Sequence, residues 1–328
     1  MLHFDFCRYN PFSLHALSVT MRLIQTSNRT VLFVCLFFFA TITQANSVAC
    51  FNTNMGQFCI ELLETQTPIT TANFLSYIKS DAYTNGIFHR SIPGFVIQGG
   101  GFKIIDGTDG ESLTTVKPFA PITNEFKISN TRGTVAMAKV AGNPNSATSQ
   151  WFVNLSDRNS LNLDIQNGGF TVFGCVIFDG MNIIDSIEKL PVRNLGGSLT
   201  DTPLKDFDGS HAALSNLVKI DNVEVTDATG IFSEGILSFS VDIGTGQTLE
   251  VSLRLIQDNP VFIFELDHER IVSLDKSPAN IATFSSTDGQ LHIPSVMVAA
   301  STVVNNVRMQ LTDAKSFHFT LLSYETEN

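Results

Sequence analysis

The chain has 328 residues, of which 43% are hydrophobic, and it carries 31 acidic against 20 basic side chains. This length allows more than one domain, and the composition excludes a disordered chain. A net charge of −11 repels phosphate backbones, so no nucleic-acid partner is expected.

Residues 1–45 are predicted to be a signal peptide. Two arginines precede the apolar run at 31–42, which is too short to span a bilayer. The small residues of TQA, 43–45, predict cleavage after Ala45, and an uncleaved anchor is the alternative. Translation from Met21 would shorten the region before the apolar run. Cleavage would leave 283 residues with a net charge of −13 and no membrane span, in a chain we expect to be exported to the periplasm.

Cys50 and Cys59 flank a predicted turn at 54–56 in the stretch CFNTNMGQFC. Opposed residues of a hairpin come close enough for a disulfide, and an exported compartment permits one. Two reduced core cysteines would fit the pattern equally well.

Residues 46–227 are predicted to form one mainly β domain with two helices. Thr67 is a possible N-cap and Pro68 the first residue of one helix, and the second helix covers GMNIIDSIEKL, 180–190. Strand patterns occur in GIFHRSI, FVIQGGG, GTVAMAKV, SQWFVNL, GGFTVFGCVIF and LVKIDNVEVTD. Many strands with two helices favour a closed barrel capped at its ends.

The pattern changes near residue 228. Short alternating runs separated by Gly, Asn, Asp and Ser continue to the last residue, and no helical period is visible. This predicts a linker at 228–235 and an all-β, sandwich-like domain at 236–328.

The sequence lacks the motifs GxSxG, HExxH, GxxxxGK[ST] and CxxC. The triple glycine at 99–101 is not followed by a Lys-Ser or Lys-Thr pair, so it indicates close backbone approach rather than a phosphate site. His89 and Arg90 are adjacent on a predicted strand and should point to opposite faces. We therefore expect His89 to be buried and hydrogen-bonded, and not to act together with Arg90.

The stretch FHRSIPGFVIQGG, 88–100, resembles the signature of the cyclophilin family of peptidyl-prolyl cis–trans isomerases. NEF, GTVAMAKV, NSATSQWFVNL and GGFTVFGCVIFDGMNIID follow in the family's order, so the resemblance covers 49–226. Its style is that of the bacterial exported branch. The resemblance implies an eight-stranded antiparallel barrel with a helix at each end, and isomerisation without a metal, nucleotide or other cofactor.

The resemblance also implies roles for individual residues. Arg90 would engage the prolyl nitrogen of the twisted amide, and Gln98 would hold the substrate backbone or orient Arg90. Phe95 and Phe152 would be aromatic walls of a proline pocket. The other implied substrate-binding residues are Val96, Ala138, Gln150, Leu161 and Phe170. Without the resemblance, the apolar members of this set would fit an ordinary barrel core.

Two positions depart from the family pattern. Ser160 stands where many members have Trp. In those members the indole helps to bind the cyclic peptide cyclosporin, so this chain is expected to bind cyclosporin weakly. Phe170 stands where many members have His, which predicts a more apolar pocket. Neither change alters Arg90.

The sequence thus predicts an isomerase and folding chaperone that acts on proline-containing unfolded or exported polypeptides. One alternative is a non-catalytic peptide-binding or chaperone module. Another is a surface-binding protein that acts through residues 236–328.

Overall fold

The computed structural model describes residues 47–108, 110–244, 247–274 and 281–326. The predicted signal peptide, 1–45, lies outside the described residues. Within the described ranges no helix is long and apolar enough to cross a bilayer.

The described chain up to residue 227 contains twelve strands and three α-helices. The strands are β1 (Ser47–Thr53), β2 (Gly56–Leu62), β3 (Arg90–Ile92), β4 (Val96–Gly99), β5 (Phe102–Gly107), β6 (Gly110–Thr115), β7 (Thr134–Met137), β8 (Trp151–Asn154), β9 (Val172–Ile177), β10 (Val192–Arg193), β11 (Thr202–Pro203) and β12 (Ile220–Asp227). The helices are α1 (Pro68–Lys79), α2 (Ser160–Leu163) and α3 (Gly180–Glu188).

Eight of these strands form one antiparallel sheet in the order β12-β1-β2-β9-β7-β8-β4-β3. Backbone hydrogen bonds also join the segments that lead into its two edge strands. The Phe88 N–H donates to the Val218 carbonyl at 3.1 Å, and the Ile220 N–H donates to the Gly86 carbonyl at 2.8 Å. The sheet therefore curls into a partly closed barrel. Its antiparallel strands agree with the prediction, whereas the edge strands β12 and β3 do not pair with each other to close it fully.

Trp151 on β8 anchors the core enclosed by this sheet. It is fully buried, and its ring centroid lies 5.1 Å from that of Phe51, 5.7 Å from Phe88 and 6.1 Å from Phe74. Buried aromatic clusters of this kind supply much of a core's apolar area. Because neighbouring strand residues point to opposite faces, a buried Trp151 turns Phe152 to the outer face.

Helix α1 begins as predicted but is capped by a different residue. Pro68 occupies its first turn, where a missing N–H costs no helical hydrogen bond. The side chain of Thr67 makes no capping bond and instead donates to the Leu63 carbonyl at 3.1 Å. The carboxylate of Glu125 accepts from the Thr70 N–H and hydroxyl, both at 2.8 Å. A residue distant in sequence thus satisfies the helix N-terminus.

Nine further strands follow in the rest of the described chain. They are β13 (Gly230–Ser233), β14 (Ile236–Asp242), β15 (Thr248–Gln257), β16 (Ile263–Leu266), β17 (Val272–Leu274), β18 (Ala282–Ser285), β19 (Gln290–Ala299), β20 (Thr302–Asp313) and β21 (His318–Thr326). This confirms the prediction that the region is all β.

The predicted sandwich is wrong, because seven of these strands close into a ring. The ring runs β13-β14-β15-β16-β21-β20-β19 and returns to β13, which pairs with β14 in antiparallel and with β19 in parallel orientation. A sandwich and a barrel share the same alternation of apolar and polar residues. What distinguishes the two folds here is that β13 pairs with β19, and the alternation of apolar and polar residues does not specify that pairing.

The segment predicted as a linker, 228–235, is part of this second barrel. It contains β13, and Ala228 and Ile231 are fully buried. These two side chains pack in one apolar cluster with Val48 of the first domain and Met297 of the second. The two barrels therefore share an apolar interface, and the linker prediction is wrong.

Cys50 and Cys59 are directly opposite residues of the β1–β2 pair, with Cα atoms 4.0 Å apart, and a disulfide joins them. Both are buried in the interface cluster. The sulfur of Cys50 lies 3.5 Å from the carbonyl oxygen of Ala300 in the second barrel. The bond thus lies where the two barrels meet.

Candidate active site

One row of side chains crosses four neighbouring strands on the outer face of the first sheet. Arg90 on β3 is directly opposite Gln98 on β4, Gln98 is opposite Phe152 on β8, and Phe152 is opposite Ala136 on β7. Directly opposed residues of adjacent strands share a face of the sheet. The row therefore aligns a cation, an amide and an aromatic ring within about 10 Å, which is two strand spacings.

The guanidinium of Arg90 has long contacts on two sides. Its Nη1 lies 3.5 Å from the Oε1 of Gln98, and its Nε lies 3.9 Å from a carboxylate oxygen of Asp201. The Nε2 of Gln98 in turn donates to the Oε1 of Gln150 at 2.7 Å. Polar groups thus form a chain from Asp201 to Gln150 along the edge of the row.

Arg90 retains donors for a ligand. Its side chain is 36% exposed, and a guanidinium carries five N–H donors in a fixed plane. Contacts of 3.5 and 3.9 Å lie at or beyond the outer limit of a hydrogen bond, so they orient the group without saturating it. The guanidinium can therefore donate a hydrogen bond to an acceptor atom of a ligand on the outer face of the sheet.

A cluster of apolar side chains lies next to this row, and a proline pocket is expected at its surface. Its buried members are Val96, Ala136, Phe152, Leu163 and Val172, and Phe95, Ala138 and Phe170 are among the half-buried residues packed against them. The rings of Phe152 and Phe170 meet edge to face, with centroids 5.8 Å apart. Five of the predicted substrate-binding and catalytic residues thus meet in one cluster with Phe152 at its centre: Phe95, Val96, Ala138, Phe152 and Phe170.

Leu161, also predicted to bind substrate, is not a member of this cluster. It is 70% exposed, whereas Leu163, two residues on, is buried in the pocket cluster. Both lie on the short helix α2, where residues two apart point to nearly opposite sides. Alignment to a family motif could not reveal this helical phase.

Phe95 is held by its backbone at the edge of the apolar cluster. Its carbonyl accepts from the Leu155 N–H at 2.9 Å and from the Nδ2 of Asn159 at 2.6 Å. Its own N–H donates to the Ile92 carbonyl at 3.0 Å. The half-buried ring therefore projects from a fixed turn between β3 and β4.

Lys139 supports the wall formed by Phe170, and sequence reasoning missed it. Its ammonium lies 4.8 Å from the ring centroid of Phe170, donates to the Gly169 carbonyl at 2.5 Å and donates to the Asn167 carbonyl at 2.9 Å. Burial lowers the pKa of Lys139 to about 8. The sequence feature that could have pointed to Lys139 is its position directly after the apolar run TVAMA.

Ala138 and Gln150 form the edge of the pocket. The Ala138 N–H donates to the Gln150 carbonyl at 2.9 Å, so the alanine N–H is already occupied. Nearby, Gly100 has a φ of +76°, and a Cβ there would lie 2.4 Å from the Ser149 carbonyl oxygen. The triple glycine therefore allows the close backbone approach that the sequence predicted, next to the amide of Gln150.

His89 lies on the other side of the strand from Arg90. It is buried, with its ring 5.1 Å from that of Phe102. Its pKa is lowered to about 4, chiefly by burial and to a lesser extent by the charge of Arg90, while a hydrogen bond to Gln150 acts in the opposite direction. His89 is thus buried and hydrogen-bonded, as the sequence predicted, although its Nδ1 has no hydrogen-bond partner among the described residues. A buried imidazole that stays neutral near pH 7 does not supply a proton to a ligand beside Arg90.

Asp201 also joins the site without a signal in the sequence. It lies in the loop just before β11, and its carbonyl accepts from the Ser91 N–H at 2.7 Å. This bond holds the loop beside β3, so the carboxylate faces the guanidinium of Arg90.

Comparison with known proteins agrees with this geometry. Residues 48–213 match the family model "Cyclophilin type peptidyl-prolyl cis-trans isomerase/CLD", which ends before the second barrel. A peptidyl-prolyl cis-trans isomerase of Acinetobacter baylyi is 45% identical over 154 residues, which cover 46% of this chain and 77% of the relative. Peptidyl-prolyl cis-trans isomerase B of Escherichia coli is 40% identical over 161 residues, which cover 48% of this chain and 92% of the relative.

A solved cyclophilin type peptidyl-prolyl cis-trans isomerase of Cryptosporidium parvum has 25% sequence identity and a TM-score of 0.41, covering 56% of this chain and 98% of the other. The family model spans half of the chain, and the chain covers more than two thirds of both bacterial relatives. The chain therefore belongs to the cyclophilin-type peptidyl-prolyl cis-trans isomerase family, and it is a peptidyl-prolyl cis–trans isomerase.

Proposed function

We propose that Arg90 catalyses the isomerisation by stabilising the twisted prolyl amide of an exported polypeptide. Rotation about a peptide bond meets a barrier of about 18–20 kcal/mol because nitrogen donates its electron pair into the carbonyl. In the twisted state this pair localises on nitrogen and becomes a good hydrogen-bond acceptor. A cationic donor placed there interacts more strongly with the transition state than with either planar ground state.

The observation that carries the proposal is the position of Arg90 beside the apolar pocket. A prolyl ring packed against Phe152 would place its nitrogen near the polar end of the row, where the guanidinium has unused donors. No bond has to break, so no nucleophile or proton relay is required. Reducing the uncatalysed time of tens of seconds by about four decades requires about 5–6 kcal/mol.

Substituting Arg90 tests this role. In a protease-coupled assay with a proline peptide, Arg90→Ala in the chain from residue 46 is expected to lower kcat/KM about 100- to 1000-fold, with an unchanged circular dichroism spectrum. Arg158→Ala is the matched control, because Arg158 is an exposed arginine next to α2. Normal turnover by the Arg90 variant would refute the role, and peptide binding without turnover by the unaltered chain would favour a holding chaperone.

Export is the second part of the proposal. It rests on the apolar run at 31–42, on the small residues before Ala45 and on the disulfide between Cys50 and Cys59, which persists in oxidising compartments. Expression in a bacterial host followed by cell fractionation should place the chain in the periplasm. N-terminal sequencing should find Asn46 as the first residue. A cytoplasmic chain that keeps residues 1–45 would contradict export but would leave the role of Arg90 unaffected.

A further inference from the structure

The second barrel encloses a cavity that the isomerase reaction does not use. The cavity has a volume of about 260 Å³ and lies between β13, β14, β16 and the long strands β19, β20 and β21. Closed barrels of about this strand number are wide enough either to be filled by side chains or to hold one small ligand. Here the side chains leave space.

The walls of this cavity are almost entirely hydrocarbon. Its inner lining includes Phe232, Leu237, Val304, Val307 and Met309. Among all of its lining side chains only Tyr324 carries an oxygen, and that residue is 51% exposed. A charged group, or a peptide backbone, would therefore lose its hydration inside the cavity without gaining a hydrogen-bond partner.

The cavity opens to the surface through an apolar mouth. Phe262 and Tyr324 belong to the lining and are 42% and 51% exposed. A second hollow shares these residues and continues outwards past Val261 and Leu322, both of which are exposed. Large exposed apolar patches are rare on soluble proteins, and where they occur they commonly mark a binding site. A ligand can thus reach the interior from solvent without unfolding the barrel.

We propose that the second barrel binds one small amphiphile, with its hydrocarbon chain in this cavity and its polar end at the mouth. Transfer of apolar surface from water into a dry apolar cavity supplies the driving force. The polar end remains hydrated beside Tyr324, so no buried polar group is left unpaired. This site is separate from Arg90, and the inference does not depend on the role proposed for that residue.

Dodecanoate below its micellar concentration is a suitable probe for isothermal titration calorimetry with the full chain. We expect saturable binding of one molecule per chain and a rise in Tm of the second barrel. Val307→Phe fills the cavity from a buried position and should weaken binding about tenfold or more. Arg308→Gln is the matched control, because Arg308 is the next residue of β20 and is exposed, so it should bind like the unaltered chain.

A second variant keeps the proposal testable if Val307→Phe unfolds. Phe262→Asp places a charge at the mouth, at a position that is 42% exposed, and should also weaken binding about tenfold. Saturation of the isomerase site with a proline peptide should leave dodecanoate binding unchanged. The proposal would be overturned if dodecanoate showed no saturable binding, or if both variants bound it as tightly as the unaltered chain does. Binding of an apolar unstructured peptide in place of dodecanoate would also overturn it.

Discussion

Arg90 and Gln98 lie directly opposite each other on β3 and β4, with 3.5 Å between the Nη1 of Arg90 and the Oε1 of Gln98. The Nε2 of Gln98 donates to the side chain of Gln150 at 2.7 Å on the other side. Because the amide nitrogen is held there, its oxygen turns towards the guanidinium. This geometry supports the proposal that Gln98 aligns Arg90.

Replacing Gln98 by Leu keeps the size of the side chain but removes this alignment. We expect kcat/KM to fall about tenfold, since a hydrogen bond to a charged group contributes about 1.5–3 kcal/mol at full strength and this contact is long. The protease-coupled assay measures the loss. Asp201→Asn is the control and should change kcat/KM less than about threefold, because a partly exposed ion pair contributes about 0–1 kcal/mol. A larger loss in the Asp201 variant would identify Asp201 as the main orienting group.

Lys139 offers a second test, on the pocket wall rather than the cation. Lys139→Met keeps an unbranched side chain but removes the donors that hold the Gly169 and Asn167 carbonyls beside Phe170. A less firmly held wall should raise KM about threefold, with kcat little changed, because Arg90 is untouched. Peptide assays at several substrate concentrations separate the two constants.

The pH dependence of KM provides the control for this prediction. The pKa of Lys139 is lowered to about 8 by burial, so the ammonium loses its proton as the pH rises from about 7 to about 9. KM of the unaltered chain should rise over this range, and KM of the Lys139→Met variant should stay flat. A rise of equal size in both chains would show that another group is responsible.

The first domain could be predicted in detail because its motifs are local. Arg90, Phe95 and Gln98 lie within one short stretch of the sequence, and the strand pattern in SQWFVNL corresponds to β8. The burial and hydrogen bonding of His89 were predicted from strand alternation, but its partner Gln150 was not, since that contact joins residues distant in sequence.

The features that the sequence did not predict depend on contacts between residues distant in sequence, or on which side of a helix a residue lies. Closure of the second barrel depends on β13 pairing with β19, more than sixty residues later. Asp201 reaches Arg90 only because its loop is bonded to β3. Leu163 is buried in the apolar cluster while Leu161 is exposed, because the two lie on opposite sides of α2. Propensity and periodicity describe single elements and do not encode these relationships.

Ser160 bears on cyclosporin, which we expect this chain to bind weakly. Ser160 is the first residue of α2, the helix that carries the pocket residue Leu163. Ser160→Trp would restore the indole found in many family members and should tighten cyclosporin binding about tenfold or more, because a buried aromatic side chain contributes about 1.5–3 kcal/mol. Isothermal titration calorimetry measures both affinities, with Ser160→Ala as the control. Tight binding by the unaltered chain would contradict the expectation.

His89 makes the stability of the first domain depend on pH. Its folded pKa is about 4, whereas an imidazole in an unfolded chain has a pKa of about 6.5. The unfolded chain therefore takes up a proton that the folded chain does not, so stability is fully present above about pH 6.5 and falls as the pH drops towards about 4. The complete loss amounts to about 3 kcal/mol, because each unit of pKa difference corresponds to about 1.4 kcal/mol.

Urea unfolding at several values between about pH 7.5 and about pH 4.5 should show this loss in the unaltered chain and a smaller one in His89→Gln, whose amide does not titrate. Carboxylates act alike in both chains, so equal losses would mean that His89 does not carry the effect.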